Sequence, residues 1–278
     1  MKSKTLIPYL LITFGLTWGL ALLLMLFYDP IVALFGEVSP SNPLFILAVY
    51  SPAIAGVALV LWYFGPRGLI SFLRRLTLWR MPAGWWLFLI LGLPSVFYIG
   101  AAVNGSIGPF PFSPWTRALP ALAMALFIGP IEEFGWRGVA LPLLQRKFAP
   151  FWAGLILGII WAVWHIPSFL IGGTLQSAWS IVPFFAGLIA LSVILTPMFN
   201  AARGSLLIAA LFHFQLNNPI WPDAQPWDSV LFVAAAVVIV VLNRRALFDR
   251  STGVTTVLMP GDSAETLEPD PQSRLAVS

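Results

Sequence analysis

The chain has 278 residues, 59% of them hydrophobic and 9% charged, with a mean hydropathy of +0.89. A soluble domain carries about 25% charged residues, so a water-soluble fold is excluded and an integral membrane protein is expected. The net charge of +4 does not point to nucleic acid, because the basic residues flank apolar runs, where they act as topology signals.

The first apolar run, about 5–27, follows the basic start MKSK. It is too long for a secretory h-region and lacks a small-x-small cleavage site, so an uncleaved first span is expected. Seven more candidates follow, at about 43–64, 84–103, 118–145, 150–170, 180–199, 204–220 and 227–243. The last two are short for a segment that needs about 20 apolar residues. The expected fold is therefore all-α, a polytopic membrane protein of about eight transmembrane helices. Trp62, Trp85, Trp86, Trp115, Trp152 and Trp227 sit near run ends, as interfacial rings do. Between the second and third spans, 68–82 reads as an amphipathic interfacial helix.

Basic residues test this layout. With the N-terminus cytoplasmic, Lys2, Lys4, Arg67, Arg74, Arg75, Arg80, Arg146, Lys147, Arg203, Arg244, Arg245 and Arg250 fall on the cytoplasmic side, and Arg117 alone outside. This bias supports an even number of spans with both termini inside, and the plasma membrane is the expected location. Residues 1–246 form the expected transmembrane domain. From about 247 to 278 the chain reads as a disordered cytoplasmic tail, on the strength of the acidic, Pro-containing GDSAETLEPDPQS.

The fourth span contains IEEFGWRG, with Glu132, Glu133 and Arg137 where lipid is expected. An ionisable group at mid-span costs about 2.5–3.5 kcal/mol on insertion scales, so such groups usually face a polar interior. Glu133 and Arg137 are spaced i,i+4 with the acid first, an order that favours pairing. Glu132 lies about 100° around the helix and needs another partner. The chain has two histidines, His165 in the fifth span and His213 in the seventh, and Asn217 shares a face with His213. Each could be a structural residue alone. Measured from the flanking basic turns, Glu132, His165 and Asn217 lie roughly 21–22 Å deep and His213 roughly 15 Å. All four can meet in one layer, so a polar, water-accessible cavity is expected there.

A Glu and a His on one water can act as general bases. A second His and an Asn can donate to a developing oxyanion. The set suits an acyl-transfer hydrolase without a covalent nucleophile. There is no Cys, and Ser168 is the hydroxyl near His165. The alternative is a divalent metal such as zinc, with Glu132, His165 and His213 as ligands; the spacing departs from H-E-x-x-H, and metal-free water activation is preferred.

These motifs resemble the CPBP family of intramembrane peptidases, which holds type II CAAX prenyl proteases and bacteriocin-processing (Abi) proteins. Glu132, Glu133 and Arg137 match its EExxxR. Trp161 to His165 matches FxxxH with Trp for Phe, and His213 with Asn217 matches the third motif. The resemblance covers roughly 118–220. It implies a catalytic core on the fourth, fifth and seventh helices. Glu132 and His165 would activate water, His213 and Asn217 would form the oxyanion site, and Glu133 and Arg137 would support them. The expected function is an intramembrane endopeptidase acting on a lipidated or membrane-associated peptide, a prenylated CAAX peptide among the candidates. The competing readings are a non-catalytic immunity or scaffold protein and a proton-coupled transporter. The last lacks paired broken-helix repeats.

Overall fold

The computed structural model describes residues 1–39 and 41–262. Eight apolar helical segments run through it: α1 Ser3–Leu26, α2 Pro43–Thr77, α3 Ala83–Asn104, α4 Trp115–Gln145, α5 Pro150–Leu170, α6 Ile181–Ala201, α7 Leu206–Leu216 and α8 Trp227–Leu242. The first six are long and apolar enough to cross a membrane, and α7 and α8 are shorter. The chain is an all-helical integral membrane protein, as its composition requires.

The most buried of the long helices is α6, which packs against α5 and α8. Close approach to α5 rests on small residues. A Cβ on Gly154 would lie 2.5 Å from Thr196 Oγ1, and one on Gly158 would lie 2.9 Å from the Ile189 backbone. Such small-xxx-small spacing lets helices touch where lipid gives no hydrophobic drive. Ser192 Oγ donates to the Gly154 carbonyl at 2.8 Å, adding an interhelical bond.

Two helices break, α2 at the boundary that the sequence reading places after residue 64 and α4 inside an expected continuous span. In α2, Gly65 (φ 63°, ψ −169°) separates the expected span from a second piece. That piece buries Gly68, Ser71, Phe72 and Arg75 on one face, so the amphipathic pattern is real. It ends at Thr77 rather than at residue 82, and it turns inward rather than lying free at an interface. Its Arg75 is wholly buried and donates to the carbonyls of Gly204 (2.8 Å), Gly138 (2.9 Å) and Val257 (2.8 Å). In α4 the helix stops at Phe127, Gly129 takes φ 97°, and a 3-10 turn (Pro130–Glu132) leads into a π-helical stretch, Trp136–Ala140. Pro130 cannot continue the preceding helix, and π-bulges frequently mark functional sites.

The expected disordered tail from residue 247 is corrected over 247–262. Leu247, Val257 and Leu258 are buried. Gln145 Nε2 donates to the Val254 carbonyl at 3.0 Å, and Arg146 Nε donates to that of Thr255 at 2.8 Å. The physical reason lies in GVTTVLMP, an apolar segment that precedes the acidic run beginning at Gly261. Residues 263–278 of that tail lie outside the described residues.

Candidate active site

The break in α4 points Glu132 and Glu133 in different directions. Glu133, with no exposure, accepts from Arg137 Nη1 at 3.0 Å, so the i,i+4 pair forms. The same Oε1 also meets His213 Nδ1 at 2.7 Å. This contact was not legible in the sequence, since α4 and α7 are far apart along the chain. Arg137 also stacks over the Trp161 ring at 4.7 Å. The pair is made through one contact only: among the described residues Glu133 Oε2 and Arg137 Nε and Nη2 are buried without a hydrogen-bond partner, so the ring of Trp161 and the His213 contact are what support it.

Glu132 finds the separate partner its angular position requires, in two indoles. Its Oε2 accepts from Trp136 Nε1 at 3.2 Å and from Trp161 Nε1 at 3.0 Å. Trp136 stands one turn after Glu132, a pairing visible in the sequence but not singled out there. Trp161 occupies the aromatic position of FxxxH, and here it donates a hydrogen bond that Phe could not. Among the described residues nothing bonds Oε1 of Glu132, and the residue lines a cavity.

His165 closes the main run of α5. Its Nδ1 lies 2.8 Å from the Trp161 carbonyl. A carbonyl only accepts, so Nδ1 carries the proton and Nε2 keeps its lone pair. Ser168 Oγ donates to the main-chain carbonyl of His165 at 2.7 Å, not to its ring, so it is not poised as a nucleophile activated by that imidazole. Trp161 stands between the histidines, its ring centroid 5.7 Å from His165 and 5.5 Å from His213.

Asn217 caps the break in α4. Its Nδ2 donates to the Ile128 carbonyl at 3.3 Å, leaving the second amide proton free. Gly129 fits under this pair because it has no side chain. A Cβ there would lie 2.0 Å from Asn217 Nδ2 and 2.9 Å from His213 Nε2. Gly129 is a further site residue that the sequence reading did not single out.

Glu132, His165, His213 and Asn217 all line one cavity of about 700 Å³, with Gly129 and Trp161. Glu133 and Arg137 stand behind it and do not line it. The alternative zinc set of Glu132, His165 and His213 does not close into a ligand cluster. Among the described residues, no three His, Asp or Glu side chains group in a way that could hold a metal ion.

Residues 114–218 match the model of the type II CAAX prenyl endopeptidase Rce1-like family. The match covers less than half of the chain, and over that segment the chain is similar to the Rce1-like family. The resemblance drawn from the three motifs is thereby borne out, and the Rce1-like segment contains every residue of the cavity's polar set just described. CAAX prenyl protease 2 of Methanococcus maripaludis is 31% identical over 186 residues, covering 61% of this chain and 65% of that protein. The match thus spans less than two thirds of that relative's length.

Proposed function

We propose that the protein is an intramembrane endopeptidase that hydrolyses a peptide bond in a lipidated or membrane-associated peptide, with CAAX-type substrates as one candidate class. The observation that carries this reading is the convergence of Glu132, His165, His213 and Asn217 on one cavity. The Rce1-like match and the relative's name support the same class.

In the proposed reaction Oε2 of Glu132 is held by two indole N–H groups, so the carboxylate keeps one orientation while Oε1 takes a proton from water. His165 Nε2, the free lone pair of the ring, accepts the water's second hydrogen and orients it. General-base catalysis of this kind contributes about 10²–10⁴-fold. The water oxygen attacks the scissile carbonyl carbon. The oxyanion that forms accepts from the free amide proton of Asn217. His213, its ring fixed by the 2.7 Å contact of Nδ1 with the Glu133 carboxylate, presents Nε2 beside Asn217 as the second group of the oxyanion site. Collapse breaks the C–N bond, and the proton held by Glu132 passes to the leaving amine. Every step uses groups of the chain itself.

The test is cleavage of a peptide panel by purified protein in detergent, with a farnesylated CAAX peptide and unlipidated controls, in the presence and absence of a strong chelator. Wild type should cleave with or without chelator, and Glu132→Gln should lose at least about 100-fold. Equal cleavage by the variant would overturn the mechanism. Loss with chelator and rescue by zinc would move the reaction to a metal.

A further inference from the structure

The two ends of the helix bundle differ in charge and in closure. Odd-numbered helices run from the end that holds Met1 to the opposite end, and even-numbered helices return. The Met1 end therefore carries the twelve basic residues assigned to the cytoplasm, and the opposite end carries Arg117 with Asp29, Glu37 and Asp223. Lys and Arg near span ends mark the cytoplasmic side.

The cavity belongs to the opposite end. Its rim comes from the α1–α2, α5–α6 and α7–α8 loops, at Ser39, Gln176 and Asp223. The α7–α8 loop is tied to the α5–α6 and α3–α4 loops. Trp179 Nε1 donates to Asp223 Oδ2 at 3.2 Å, and Ser106 Oγ donates to the Asp223 carbonyl at 2.8 Å. Among the described residues, no lining group comes from the basic end. That end is packed shut. Arg75 joins α2 to α4, the α6–α7 turn and the C-terminal segment through three carbonyls. Arg146 joins the α4–α5 turn to the carbonyls of Met1 and Thr255.

We infer that the cavity opens on the extracytoplasmic face, and that its substrate is a peptide whose apolar segment is presented from that face. The cavity wall is largely apolar, with Ile128, Phe184, Leu188 and Leu191 among its residues. Its ionisable groups besides the two histidines are Glu132, Asp223 and Asp228, with no Lys or Arg. A neutral or cationic peptide suits this wall better than one bearing a carboxylate beside the scissile bond. A prenylated tail in the cytoplasm would have to cross the bilayer to reach Glu132. The substrate class rests on the peptidase reading, whereas the sidedness does not.

The absence of native cysteine makes sidedness directly measurable. Ser39→Cys, Gly108→Cys and Ser177→Cys report the rim end, and Lys147→Cys and Arg244→Cys report the basic end. All five would be expressed in a bacterial inner membrane and treated in intact cells with a membrane-impermeant maleimide that passes the outer membrane. The rim cysteines should label in intact cells, and the basic-end cysteines only after permeabilisation. A Cβ at Gly108 meets nothing within 4 Å, so this position has room for the cysteine and reports the rim end even if a serine replacement perturbs its loop. Labelling of the basic end first, or of both ends alike in intact cells, would overturn the inference. Labelling needs no catalysis, so this result stands apart from the cleavage assay. In oriented proteoliposomes, a peptide added on the rim side should be cleaved and the same peptide confined to the basic side should not. Cleavage from the basic side alone would overturn the substrate assignment while leaving the peptidase reading intact.

Discussion

Gly129→Ala isolates the oxyanion geometry. At φ 97° and ψ −64° the backbone is in a region that non-glycine residues adopt at a cost of about 1–3 kcal/mol. The added Cβ would lie 2.0 Å from Asn217 Nδ2 and 3.0 Å from His213 Cδ2. Ordinary contacts are about 3.5–4.0 Å, so Asn217 must swing aside and lose its 3.3 Å bond to the Ile128 carbonyl. That bond is worth about 0.5–1.5 kcal/mol. The sum is a destabilisation of about 1.5–4.5 kcal/mol. The loss of one preorganised donor lowers kcat by about 10²–10³. Two controls separate these effects. Gly105→Ala shares a positive φ (68°) but meets nothing within 4 Å, so it should cost about 1 kcal/mol and leave cleavage unchanged. Asn217→Ala removes the donor without the clash. In a double-mutant cycle, thermal midpoints in detergent should show Gly129→Ala costing less in the Asn217→Ala background than in wild type. Cleavage rates from the same preparations test the chemistry. If Gly129→Ala cleaves like wild type, or if the two substitutions add independently in stability, the assignment of this contact to the oxyanion site fails.

Trp161→Phe restores the family's aromatic residue but removes the 3.0 Å donor to Glu132, leaving Trp136 alone. A hydrogen bond to a charged group is worth about 1.5–3 kcal/mol, so kcat should fall about 10–100-fold with KM little changed, as steady-state kinetics on one peptide would reveal. Arg137→Met strands the buried Glu133 carboxylate and should destabilise by about 3–5 kcal/mol. The double variant with Glu133→Gln should recover part of that loss in a thermal-shift assay. Truncation after Asn243 removes the carbonyl of Val257 from Arg75 and those of Val254 and Thr255 from Gln145 and Arg146. It should lower the thermal midpoint in detergent, as a thermal-shift assay would show.

Apolar runs and charge placement alone specified much of this protein. Lipid leaves a chain few options besides helices, so span positions were readable to within a few residues, and α7 and α8 were short in the sequence as in the fold. The mid-span charges announced a polar cavity because ionisable groups are too costly in lipid to be incidental. The Glu133–Arg137 pair was readable because it is local. Tertiary structure decided what lies between helices. The Trp161 indole on Glu132, the Glu133–His213 contact, the fit of Gly129 beneath Asn217 and the burial of Arg75 each join segments distant in sequence. Helical periodicity carries no information about which neighbour a side chain meets. The boundary near residue 247 failed for a related reason. Charge and proline described the end of the chain, while the apolar stretch just before it is held by carbonyls that side chains of α2 and α4 reach only once the bundle has formed.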